Sequence, residues 1–183
     1  MKRLGIVLGS LVLTAALGAP RLASAAESTY VTAGAGGTYP AGTSFSGIDV
    51  QGVELGFGSE IGPDGSGLGN FTAVLRGVTA LGEARPISIQ GHVLAGSRSA
   101  VNVAVLSGTA SLDLGDGLPP APDIPFVATL VRDAATGQGT VALVVAGADL
   151  PAATLDEGSL SIQTVPAEPL EDVAPAVVAD AAP

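Results

Sequence analysis

His92 is the single histidine of the chain, in the run Ile89-Gln90-Gly91-His92-Val93. A serine nucleophile needs an imidazole to accept its proton, so any Ser-His-Asp triad here would have to use this residue. No Gly-x-Ser-x-Gly turn presents a serine to it. Lysine occurs only at Lys2, near the start of the chain, so neither serine–lysine nor Schiff-base chemistry is supplied further along. On a strand His92 faces opposite to Val93, toward solvent. The plain reading is a surface histidine.

Carboxylates are the other reactive groups. Glycoside cleavage needs two acids about 5 to 9.5 Å apart. Glu54 with Glu60, and Asp113 with Asp116, are candidate pairs among 17 acidic residues. The chain has no tryptophan and only two tyrosines, so the flat apolar faces that stack on sugar rings are scarce. A carboxylate-dependent hydrolase therefore ranks third among the functional readings.

Metal binding is the chemistry best supplied. One histidine and no cysteine make a poor zinc site. Calcium takes oxygen from carboxylates and loop carbonyls. Two acidic, glycine-bearing loops offer these, Asp64-Gly-Ser-Gly-Leu-Gly-Asn70 and Asp113-Leu-Gly-Asp116-Gly117, with Asp123 close by. Asp64, Asn70, Asp113, Asp116 and Asp123 form the candidate Ca2+ set. Neither loop is an EF-hand: counted from Asp64 the closing glutamate position is Leu75, and counted from Asp113 it is Ile124. Asp-Gly also builds ordinary turns, which is the simpler reading. Asn70-Phe71-Thr72 matches a glycosylation sequon at the start of a strand, a motif too short to weigh much.

The elements that must hold these residues begin after an export signal. Met1-Lys2-Arg3 is basic, Leu4 to Leu17 is uncharged and mostly apolar, and Ala23-Ser24-Ala25 is a small-x-small cleavage site. That order reads as a cleaved secretory signal over residues 1–25. Glycines, Ser10 and Pro20 interrupt the apolar run, which is shorter than the roughly 20 residues of a membrane span. With no cysteine for lipid attachment, the mature protein is expected to be soluble, secreted or periplasmic, or at the cell surface.

Cleavage leaves 158 of the 183 residues, with four arginines against 17 acids and a formal charge of −13. So acidic a surface argues against nucleic acid, which needs a basic footprint. It suits an exported protein kept soluble by repulsion, or one that takes up cations. Without cysteine there are no disulfides. Stability must come from apolar burial and ladder hydrogen bonds.

Residues 26–43 are rich in Gly, Ala, Ser and Thr and read as a flexible lead-in. Residues 165–183 read as a disordered acidic tail rich in Pro and Ala. Between them, residues 44–164 alternate with the period of β-structure. Phe71, Ala73 and Leu75 share a face; so do Ile87 and Ile89, Val101, Val103 and Val105, Phe126, Ala128 and Leu130, Val141, Leu143 and Val145, and Leu160 and Ile162. Gly62 to Gly69, Leu81 to Pro86 and Ala95 to Ser99 read as turns, and Asp133 to Gly139 as a hairpin. Leu118 to Pro125 holds four prolines and reads as a crossing loop unable to join a central strand.

These features predict an all-β fold with almost no helix. Seven to nine short strands are expected in an antiparallel β-sandwich, immunoglobulin-like or jelly-roll-like. The rhythm from Ser107 to Ile162 loosely resembles small exported bacterial β-domains, and no function is carried over from it. The leading functional reading is a non-catalytic structural or interaction module whose partner is an extracellular protein or surface component. A calcium-dependent binding domain is the alternative.

Overall fold

A computed structural model describes residues 27–166. The expected signal (1–25) and most of the expected tail (165–183) lie outside the described residues. The described chain is all-β. The strands are β1 (Glu27–Thr38), β2 (Ser44–Phe45), β3 (Ile48–Ile61), β4 (Ser66–Val78), β5 (Ala84–Ala100), β6 (Val103–Asp113), β7 (Ala121–Arg132), β8 (Gly139–Val145), β9 (Ala148–Asp149) and β10 (Ala153–Pro166). All pairings are antiparallel. No helix among these residues is long and apolar enough to cross a membrane.

One ladder runs β1-β10-β8-β7-β6-β5-β4-β3, and β1 then pairs β3, closing the ring. The two-residue strands β2 and β9 are spurs on β3 and β8. The strands thus belong to one sheet wrapped into a barrel, where two separate sheets of a sandwich were expected. The same alternation serves both arrangements, because either one buries one face of every strand.

The closing strand corrects the sequence reading most sharply. Residues 27–38 are a central strand rather than a flexible lead-in, with Val31 opposite Ser59 of β3 and Ile162 of β10. Thr29, Val31, Ala33 and Ala35 point inward and are buried. Glycine and alanine suggest a linker because they bury little. Here small inward residues are what fit beside the large Leu55 and Phe57 of the neighbouring strand.

The interior is filled from every long strand. Leu75, Ile87, Ile89, Leu106, Leu130 and Leu143 are all fully buried. Eight strands give an interior just wide enough for side chains to fill. Phe57 stacks on Phe71 at a centroid distance of 6.0 Å, and Phe71 on Phe126 at 4.6 Å. Between Phe71 and Phe126 the inward positions of β5 and β6 are Gly91, Gly108 and Ala110. A Cβ on Gly91 would collide with the Thr109 carbonyl oxygen, and one on Gly108 would lie 3.0 Å from the Phe126 ring. Glycine at 108 leaves room for the Phe126 ring, and glycine at 91 lets β5 lie close against Thr109 and Ala110 of β6.

Several local readings change. In the set Val101, Val103 and Val105, Val101 sits in the turn after β5, and Val103 and Val105 point outward; Ala104 and Leu106 are the buried residues. Both phases of that segment are apolar, so alternation alone does not choose the face. Ala95 to Ser99 is no turn but part of the 17-residue β5. The turns at 62–69 and 81–86 shrink to the short links before β4 and β5. Pro122 and Pro125 lie within β7. They are tolerated because the start of β7 pairs β6 on one side, while pairing to β8 begins only at Phe126.

Candidate outer-wall binding groove

Asn70 of β4, His92 of β5 and Thr109 of β6 are direct neighbours across the ladder, and all three point outward. The alternation that buries Phe71 and Val93 at 1% and 2% exposure puts Asn70 and His92 on the surface. His92 Nδ1 lies 3.0 Å from Asn70 Oδ1. With the amide oxygen as acceptor, Nδ1 carries the proton and donates it, leaving Nε2 as a free acceptor.

Shallow grooves flank this pair. One is lined by Asn70, Thr72, Gln90, His92 and Ser111. The other adds Thr109, Pro122 and Asp123. The Ser111 hydroxyl donates to the Gln90 carbonyl at 3.3 Å. Asp123 adopts a left-handed φ of 55°, beside the register shift between Ala110 and Leu112. A bulge of this kind re-aims side chains at a sheet surface. The result is an open strip of amides, hydroxyls, one imidazole and one carboxylate on a rigid wall. It can exchange hydrogen bonds with a polar ligand. Among the described residues the side-chain partner of His92 is the Asn70 amide, which is not itself a nucleophile.

The candidate calcium ligands have separate places. Asp64, in the β3–β4 turn, accepts from the Ser66 hydroxyl at 2.6 Å and the Ser66 amide at 2.9 Å. These bonds hold its pKa below the usual carboxylate value of 3.8. Asp113 accepts from the Gly115 amide at 2.8 Å and Asp116 from the Leu118 amide at 3.0 Å, each inside its own turn. Ser66, beside Asp64, is level with Ala95 and Ser107, six residues along β6 from Asp113. At strand rise that is about 20 Å, so the two loops do not share an ion. Asn70 is engaged by His92. Among the described residues no three His, Cys, Asp or Glu side chains gather in a metal-holding group. Asp64, Asp113 and Asp116 each close an Asx turn.

The candidate pair Glu54 and Glu60 is not brought together. Glu54 and Glu60 both face outward on β3, six residues or about 20 Å apart. Glu60 instead stands opposite Tyr30, whose phenol is pushed up from 10.0 by the facing charge and the hydrogen bond to it.

Gln90, Thr109 and Ser111 belong to no motif in the sequence, and Thr72 only to the sequon Asn70-Phe71-Thr72. Each is an outward position beside a recognisable buried one, so its exposure is readable from alternation. Their meeting depends on register across three strands, for which a single sequence holds no signal.

The molecule is thus defined as a closed antiparallel barrel with a filled interior and a polar strip on its outer wall. No family model matches the chain, and no similar protein or structure was found among curated proteins and solved structures.

Proposed function

We propose that the chain is exported and works as a non-catalytic binding or structural module at or beyond the cell surface. It would use the polar strip around His92 as its contact with an extracellular protein or surface component. The observation behind this reading is the filled interior. Phe71 and Phe126 meet at 4.6 Å across the middle of the barrel, leaving contact to the outer wall. A rigid sheet with outward hydrogen-bonding side chains suits recognition more than turnover. The export half of the reading rests on the Met1–Ala25 pattern.

The test follows the whole chain through an exporting host. An exported product beginning at Ala26 by intact mass is the expected result, and retention in the cytoplasm with residues 1–25 attached overturns export. The exported protein is then sedimented with isolated cell-surface material. Wild type co-sediments, and an Asn70→Ala, Gln90→Ala, His92→Ala triple variant does not. Equal sedimentation of both overturns the role of the strip.

A further inference from the structure

We propose that the free edge of β10 is where two copies of this chain pair, antiparallel, about a two-fold axis at Ile162. Along one side β10 is laddered to β1 from Thr154 to Pro166, but on the other it pairs β8 only at Ala153, Thr154 and Leu155. Among the described residues, no other backbone hydrogen bond reaches 156–166. A strand with one bare row of N–H and C=O groups is a template for another strand.

Natural edges are guarded by charges, prolines or bulges. On β10 itself the guards stand only at the two ends, and the β7–β8 hairpin from Thr136 to Gly139 borders a groove beside Asp156 to Leu160. Asp156 and Glu157 lead into Gly158, whose φ of 78° breaks the extended run, and Pro166 closes the far end. From Gly158 to Pro166 there is no charged side chain. A two-fold axis at Ile162 sets Gly158 opposite the other copy's Pro166. Ser159 then faces Val165, Leu160 faces Thr164, Ser161 faces Gln163, and Ile162 faces itself. The ladder begins and ends on the chain's own strand breakers. Sliding the axis one way draws the acids in; sliding it the other draws the proline in.

A second copy fits this edge better than an unlike strand. The formal charge of −10 sets copies against each other over most of the surface, but the uncharged run from Gly158 to Pro166 brings no like charges together and offers a basic strand no carboxylate to meet. The edge is also held in place before pairing. Leu160 is buried in the core, Ile162 packs against it, and the Arg98 guanidinium donates to the Thr164 hydroxyl. Pre-ordering of this kind lowers the cost of association. The proposal stands independently of the compartment and of the His92 strip.

The test is sedimentation velocity over a roughly hundredfold range of concentration, since a dimer dissociates on dilution. Wild type is expected to pass from monomer to dimer across that range. Ser161 and Gln163 face away from the core, so they can be charged with little effect on the fold. Ser161→Lys with Gln163→Lys sets like charges against each other on both sides of the axis and is expected to stay monomeric. Ser161→Lys with Gln163→Glu sets opposite charges there and is expected to restore the dimer. Circular dichroism at the dilute end checks that both variants keep the barrel. A wild type that stays monomeric throughout, or a dimer indifferent to both charge patterns, overturns the proposal.

Discussion

Phe71 on β4 and Phe126 on β7 stack with centroids 4.6 Å apart, although β5 and β6 lie between them in the sheet. The contact exists because the sheet closes and because Gly91, Gly108 and Ala110 stand on the intervening strands. It ties half the ring together through its interior.

That contact makes the small residues as important as the large ones. Phe126→Ala is expected to cost about 3–5 kcal/mol, the usual range for deleting a buried ring. Gly91→Ala is expected to cost about 1–3 kcal/mol, because the added methyl meets backbone that must shift. Urea unfolding of both variants measures these losses, with Gln90→Ala, outward on the same strand, within about 0.5 kcal/mol of wild type as the control. A Gly91→Ala chain as stable as wild type would contradict the tight packing.

Tyr39 offers a second prediction. It is 7% exposed, and its hydroxyl has no hydrogen-bond partner among the described residues. A buried polar group without a partner is a net cost, so Tyr39→Phe is expected to raise stability by about 1 kcal/mol. An unchanged or lowered thermal midpoint would show that the hydroxyl is satisfied after all.

The same residue sets an alkaline limit. Burial pushes the Tyr39 pKa above its ordinary 10.0. Above that pH the unfolded chain has released this proton and the folded chain has not. The unfolded state then binds fewer protons, and stability falls as pH rises. The Tyr39 contribution is complete below pH 10.0 and is lost progressively above it. Stability measured from pH 9 to 11 is expected to fall less steeply in Tyr39→Phe than in wild type. Parallel profiles would remove the residue from the alkaline limit.

Calcium is expected to leave the protein unchanged. Asp64, Asp113 and Asp116 each close a separate turn, and among the described residues no three His, Cys, Asp or Glu side chains gather in one place. Thermal unfolding in excess calcium and in chelator should coincide. A ligand of the folded state at 100 times its dissociation constant would add about 2.7 kcal/mol, an easily seen shift.

The Asn70–His92 bond belongs to the surface rather than to stability. Asn70→Ala and His92→Ala are each expected to unfold within about 0.5 kcal/mol of wild type, as exposed substitutions usually do. A loss well beyond that would make the pair a structural clamp instead of a contact strip.

Most of the strand content was legible in the sequence because alternation is a local property. Phe71, Ala73 and Leu75, or Val141, Leu143 and Val145, declare a buried face without reference to anything distant, and the structure buries them. Outward His92 followed from buried Val93 in the same way. Val103 and Val105 escaped this logic because both phases of their strand are apolar.

Closure was decided by tertiary structure alone. Nothing local to Glu27–Thr38 announces that it joins β3 to β10, since its small residues become favourable only beside Leu55, Phe57 and Leu155. Register is likewise a property of pairs of strands. It brings Asn70, His92 and Thr109 into one row and sets Asp64 far from Asp113. The sequence by itself determined which residues seek the interior, through hydrophobic burial acting one residue at a time. Which strands meet, and so which surface side chains become neighbours, depended on how eight apolar faces could share one interior.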